Sequence, residues 1–268
     1  MAAARILLAF GLLALAVWAA RLPWPRELLA AREGMQLTAA RTWGLQLQNV
    51  AALAIPEAID ILVVDYSRDG SDARAWSPAT VEALRRRESG RPRIVLCYLS
   101  IGEAESYRYY WHERWWTNAH LWLGRENPEW KGNYAVRYWD PGWQRIIVQP
   151  APNGFARIAE LIQPHRKPYL DRIMEAGFDG VYLDRIDAFA EWEKTRGKQS
   201  ESDMVEFVRR ISAYAKKRRP GFLIVPQNGE ELLKHDSYLA AIDAVAKEDP
   251  ALGHRRPPLL IAPEQTRQ

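Results

Sequence analysis

Short apolar runs, most of them ending on a polar side chain, recur along this chain between amphipathic stretches, and that rhythm limits the fold more than any other feature. Trp43–Gln48 alternates apolar and polar side chains as a strand does. Ile59-Asp-Ile-Leu-Val-Val stops at Asp65, and Arg93-Ile-Val-Leu-Cys-Tyr-Leu stops at Ser100, with Glu103 just beyond. Phe178-Asp-Gly-Val-Tyr-Leu stops at Asp184, and Phe222-Leu-Ile-Val-Pro-Gln runs into Asn228 and Glu230. Tyr134-Ala-Val-Arg-Tyr and Ile242-Asp-Ala-Val-Ala are further strand candidates. Helical segments fall between them over Pro78–Arg87, Tyr169–Ala176 and Ser202–Lys217, with a short one over Glu230–Leu233. Apolar runs without alternation, separated by helices, indicate parallel strands buried on both faces. The repeating order predicts an α/β fold, and the number of runs suits a (β/α)8-type TIM barrel better than an open sheet. In a barrel the polar strand ends converge on the face that carries the active site.

The end of the chain fits this pattern less well. Leu259-Leu-Ile-Ala would make only a stubby eighth strand, crowded by Pro257, Pro258 and Pro263, and proline cannot donate to a ladder. The last strand is therefore expected to be missing or atypical. At the other end, Met1–Ala20 has one positive charge, Arg5, and then an apolar run ending in small residues. That is the pattern of an export signal, and the run is short for a bilayer span. The expected organisation is a signal peptide or N-terminal anchor over 1–20, a linker over 21–42 and a barrel domain over 43–268. The expected location is secreted or periplasmic, with membrane contact only through an uncleaved anchor.

Composition narrows the function classes. With 48% hydrophobic and 26% charged residues the chain has the makings of a real core. The formal net charge is +4, but Arg is scattered, and the runs Arg85–Arg87 and Lys216–Arg219 read as solvated outer helix faces. A nucleic-acid binder would gather these charges into a stripe, so no nucleic-acid partner is expected. Cys97 is the only cysteine and the 5 His lack metal-ligand spacing, so neither metal nor cofactor is expected.

Two carboxylates stand out. Asp184 leaves the end of a strand with Asp187, Tyr182 and Arg185 near it, and Gly180 allows close packing at the start of that strand. Asp184 could equally cap the helix that follows. Glu230 comes after Gly229, whose freedom permits a turn aiming the carboxyl back over the barrel mouth, although a first-turn Glu facing a helix dipole is the simpler reading. Paired carboxyls on different strand ends are what glycosidic bond cleavage uses. The 12 Trp and 11 Tyr add a dense aromatic segment, from Tyr107, Tyr109, Tyr110 and Trp111 through Trp115, Trp116, Trp122, Trp130 and Tyr134 to Tyr138, Trp139 and Trp143. Its poor helical periodicity suggests a loop-borne sugar platform beside a satellite core.

The stretches VVDYSRDG, CYLSIGEAESYR, GNYAVRYWDPGW, GFDGVYLDRIDAF, VPQNGEELL and IDAVAKED, in that order, resemble glycoside hydrolase family 114, the endo-α-1,4-polygalactosaminidases. The resemblance implies a (β/α) barrel that cuts galactosamine-type polysaccharide by a retaining mechanism, with Asp184 as nucleophile and Glu230 as acid/base. By motif it puts Asp65, Tyr98, Glu103, Asp187, Asn228 and Glu248 in the sugar subsites, and Tyr138 and Trp139 join them from the aromatic segment. The enzyme is expected to act as a monomer on a polysaccharide substrate. Two other readings stay open: a non-catalytic polysaccharide-binding protein with a truncated barrel, and a hydrolase of another glycan.

Overall fold

Backbone pairing gathers the buried apolar runs into one parallel sheet. The computed structural model describes residues 37–50, 55–111, 120–148, 167–247 and 259–261, all of them within a compact unit spanning Leu37–Gln268. The described elements begin with β1 (Trp43–Gln46), β2 (Ile61–Val64), α1 (Pro78–Arg85) and β3 (Ile94–Ser100). Next come β4 (Glu103–Glu105), β5 (Leu123–Glu126), β6 (Asn133–Val136), α2 (Pro141–Ile147) and α3 (Tyr169–Glu175). Then follow β7 (Gly180–Asp184), α4 (Phe189–Arg196), α5 (Gln199–Arg218), β8 (Leu223–Pro226), β9 (Val245–Lys247) and β10 (Leu259–Ile261). The expected export segment, the linker up to residue 36, Trp115, Trp116 and Glu248 lie outside the described residues.

The sheet order is β1-β2-β3-β7-β8, parallel throughout, with Ile61 opposite Ile94 and Gly180 opposite both Leu96 and Leu223. A single parallel bridge, Gln227 to Ala246, carries it on to β9. Gly180 is required by this pairing, since a Cβ there would lie 2.4 Å from the Leu223 carbonyl oxygen.

Strand alternation splits the buried side chains into two sets. Leu62, Val64, Val95, Cys97, Leu99, Val181, Leu183 and Ile224 join the helices in one core cluster. On α5, Met204, Phe207, Val208, Ile211 and Ala215 recur at helical spacing and supply the matching face. The alternate positions Ile61, Val63, Ile94, Leu96, Tyr182 and Val225 are also buried, and there the Trp43 and Tyr182 rings lie 5.8 Å apart. Burial on both faces is the condition of a sheet covered outside by helices and filled inside by its own side chains.

Two expectations need correction. The strand at Tyr134 is not part of the parallel sheet, because β6 lies between β4 and β5 in a separate antiparallel sheet. Apolar composition alone does not fix the direction of a partner strand. The C-terminal strand is atypical, as expected: β10 pairs antiparallel with β9, and no ladder joining it to β1 is present among the described residues. The basic runs are not simply solvated. Arg85, 6% exposed, donates to both Asp179 oxygens at 3.2 and 3.0 Å, while Arg219 and Lys216 pair with Asp179 and Asp243. Asp179 Oδ2 also accepts from Val95 N at 2.9 Å. This buried network ties α1 and the end of α5 to the N-terminal edge of the sheet.

Candidate active site

The strand alternation that fills the inner face continues into the polar strand ends. Two residues beyond Val63, Leu96, Tyr182 and Val225 come Asp65, Tyr98, Asp184 and Gln227, which therefore rise from the same face of adjacent strands. All four line a cavity of about 1110 Å³ at the C-terminal edge of the sheet, at or above the roughly 300–1,000 Å³ of small-molecule pockets.

Asp184 is fixed at both carboxylate oxygens. The Tyr98 hydroxyl donates to Oδ2 at 2.5 Å and the Arg185 amide donates to Oδ1 at 2.7 Å. Burial pushes its carboxyl up to about 6, against the opposing pull of the Tyr98 hydrogen bond, the Arg185 amide and the Arg185 charge. The next residue, Arg185, is left-handed at φ 60°, a conformation that costs a non-glycine residue roughly 1–2 kcal/mol. This turn brings the Arg185 carbonyl against Gly102, where a Cβ would lie only 2.4 Å from that oxygen.

Asp65 and Glu103 reach the cavity with their oxygens already engaged. The Arg108 guanidinium donates to both Asp65 oxygens at 2.7 Å and from Nε to Glu105 at 2.6 Å, in a cluster that is almost wholly buried. Glu103, 3% exposed, accepts from Asn127 at 2.8 Å and Asn133 at 3.3 Å and pairs with Arg185 Nε at 3.0 Å. Both carboxylates therefore shape the wall of the cavity as charged ties between loops.

Glu230 opens a 3-10 helix, Glu230–Lys234, after a turn in which Asn228 (φ 57°) and Gly229 (φ 68°) are both left-handed. The expected sharp turn at Gly229 is present, and a Cβ there would meet Ile186 Cγ2 at 2.6 Å. Its carboxylate is turned to Lys247, with Nζ 2.5 Å from Oε1. Burial raises the Glu230 carboxyl, but the Lys247 hydrogen bond and charge together with the Glu230 amide outweigh it and hold the group below the ordinary glutamate value. Asn228 lines the cavity and Glu230 is not among the lining residues.

The other predicted positions divide. Asp187 is exposed and lines the cavity, 3.6 Å from Arg185 Nη1. Tyr138 is a correction: it is fully buried and its hydroxyl donates to the Ser200 carbonyl at 2.7 Å. Trp139 is also outside the cavity lining, packed edge-on against Tyr138 and Trp192 at 5.0 and 5.2 Å. Sequence reasoning did not single out Arg108, Asn127, Asn133, Gln227 or Lys247. A lone arginine inside the aromatic run Tyr107–Trp111 was the available sign of Arg108, since a charge among rings must find acidic partners. Among the described residues, no group of His, Cys, Asp and Glu could hold a metal ion, and no helix is long and apolar enough to cross a membrane.

Comparison with known proteins gives a consistent grouping. The sequence pattern of Glycoside-hydrolase family GH114 matches residues 26–251. An uncharacterized protein of Methanocaldococcus jannaschii is 38% identical over 208 residues, covering 76% of this chain and 54% of the relative. One from Thermotoga maritima is 38% identical over 198 residues, covering 72% and 54%. The chain thus spans about half the length of these curated relatives. Among solved structures, the glycoside hydrolase domain of PelA from Pseudomonas aeruginosa matches with a TM-score of 0.54 at 18% identity, covering 85% of this chain and 76% of that one. The Aspergillus fumigatus Ega3 complex with galactosamine matches with a TM-score of 0.52 at 18% identity, covering 80% and 68%. At that identity the likeness speaks for the fold, an α/β arrangement of the TIM-barrel type.

Proposed function

The chain belongs to glycoside hydrolase family GH114, and on that premise we propose that it cleaves α-1,4-linked galactosamine and N-acetylgalactosamine polysaccharide at internal bonds. The observation that carries this reading is Asp184, a carboxylate at the end of a central strand, open to a large polar cavity and held at both oxygens. That a fold neighbour was solved with galactosamine supports the choice of sugar.

In the mechanism, ionised Asp184 attacks the anomeric carbon, and the bond to the leaving oxygen breaks as that oxygen takes the proton of Glu230. Water then attacks the glycosyl ester and gives a proton to Glu230, so both carboxyls return to their starting states and configuration is retained. The Tyr98 hydroxyl keeps Asp184 oriented and offsets part of the cost of ionising it in a buried setting. Glu230 is paired with Lys247 in the free protein. Its proton-donating form therefore requires bound sugar to loosen that contact and desolvate the carboxyl, which raises its pKa. The expected N-terminal leader would deliver the enzyme, as a monomer, to the periplasm or cell exterior.

One observation favours a second reading. Because Glu230 faces Lys247 and is absent from the cavity lining, a polysaccharide-binding protein without turnover would look the same at rest. Incubation with galactosamine oligosaccharides separates the two: shorter products support the hydrolase, and retention of intact oligosaccharide over long incubation supports the binding protein.

A further inference from the structure

Among its described residues the aromatic segment is mostly core. Tyr110, Trp122, Tyr134, Tyr138 and Trp143 are buried, and Trp111 stacks on Tyr134 at 4.9 Å. Among the described residues, two rings of the segment lie on the cavity wall and remain exposed, Tyr107 at 46% and Trp130 at 64%. Tyr107 is held in place. Its hydroxyl donates to Glu105, the Arg108 guanidinium lies 4.9 Å from its ring, and Gly70, at φ +84°, leaves the room its ring occupies. Trp130 is different, because its indole is presented to solvent on the turn between β5 and β6.

That turn is braced. Asn127 N donates to the Asn133 carbonyl at 2.7 Å and Asn133 N to the Trp130 carbonyl at 3.0 Å. Gly132 N donates to the Glu126 carboxylate at 2.8 Å, and Glu129 N to the Asn127 side chain at 3.0 Å. Its base is tied to the reaction end of the sheet, because the Asn127 and Asn133 amides and Arg185 all converge on the buried Glu103 carboxylate. A large apolar ring left in water on a rigid support gains by covering its face. The C–H face of a pyranose is flat, apolar and of matching size, with hydroxyls at its edge for the neighbouring Glu129 and Lys131, which also line the cavity.

We propose that Trp130 is the stacking platform of a sugar-binding subsite, holding one hexosamine unit of the polymer whose bond Asp184 attacks. This rests on the hydrolase reading and adds a residue to it. The Glu103 tie sets the register, so that a unit stacked on Trp130 fixes which linkage reaches Asp184. Trp130 acts on polymer affinity and on the position of the cut.

The test uses the full chain carrying Asp184→Asn, so that oligosaccharide binds without turnover, and α-1,4-linked galactosamine octasaccharide as probe, followed by calorimetry and tryptophan fluorescence. Adding Trp130→Ala is expected to weaken binding on the order of tenfold, as for an aromatic hot spot, and to remove most of the fluorescence change. Adding Trp130→Phe instead is expected to keep affinity within about threefold, since a flat ring remains. Because the side chain is exposed, the melting temperature should stay put in both. Octasaccharide affinity unchanged by Trp130→Ala overturns the platform while leaving the hydrolase reading intact. No octasaccharide binding by the Asp184→Asn parent itself overturns both.

Discussion

The Tyr98 hydroxyl donates to Asp184 Oδ2 across the β3–β7 pairing at 2.5 Å. That separation suits a charge-assisted bond to an ionised carboxylate. The bond lowers a carboxyl that burial raises. Tyr98→Phe should therefore push Asp184 above about 6 and reduce kcat/KM by roughly 10- to 100-fold, the equivalent of about 1.5–3 kcal/mol for a hydrogen bond to a charged group. Steady-state kinetics on galactosamine oligosaccharide at pH 6 checks this, and wild-type rates would remove Tyr98 from the mechanism.

The pH profile assigns the two carboxyl roles. If Asp184 attacks, it must be ionised, so kcat, which reports the sugar-bound enzyme where Glu230 titrates higher, should rise through an acid limb set by Asp184, whose carboxyl lies near 6 in the free protein. If Asp184 were instead the proton donor, activity would fall as pH climbs through 6.

The Lys247 contact acts on the free enzyme. Lys247 helps hold Glu230 low, so Lys247→Met should raise the Glu230 carboxyl and, with more of the free enzyme carrying the Glu230 proton, raise kcat/KM at pH 5, with Lys247→Arg restoring the parent value. An unchanged kcat/KM at pH 5 in Lys247→Met would separate Glu230 from the titrating acid.

Stability at Asp184 should run opposite to activity. Its carboxyl is raised from 3.8 to about 6 on folding, so the folded state holds that proton more tightly than the unfolded chain does. The contribution is fully present below about pH 4 and is lost as pH rises through about 6. At about 1.36 kcal/mol per unit, Asp184→Asn should gain up to about 3 kcal/mol at pH 8 and far less at pH 4. Denaturant melts at the two pH values measure it, and a loss of stability at pH 8 would contradict the burial argument.

The Arg85–Asp179 pair supplies the contrasting case, at the sheet edge away from the cavity. Asp179→Ala strips the buried Arg85 guanidinium of its bidentate partner, leaving it Glu82 and the Gly177 carbonyl, and leaves the Val95 amide without its acceptor. A loss of up to about 3–5 kcal/mol follows for such a pair, read as a lower urea midpoint. The pH dependence of kcat/KM in the folded variant should match that of the parent.

The five parallel strands were legible because residues such as Val63, Leu96 and Val181 are apolar on both faces, and the rim was legible because Asp65, Tyr98 and Asp184 follow them at the strand ends. What local pattern cannot carry is a partner distant in sequence. Asp65 is claimed by Arg108, 43 residues on, and Glu103 by Asn127 and Asn133, 24 and 30 residues on. Both read from sequence as lining the sugar subsites, and both line the cavity, but the partners that brace their oxygens could not be read. Tyr138 and Trp130 show the same limit for rings. Nothing in the local composition says that one closes a core against Ser200 while the other stands in solvent.

The most direct measurement is product release from α-1,4-galactosamine polymer by Asp184→Asn and Glu230→Gln, each purified with a native circular dichroism spectrum. Each substitution alone is expected to remove cleavage while polymer binding survives. Cleavage at the wild-type rate by either folded variant would contradict a mechanism built on this pair.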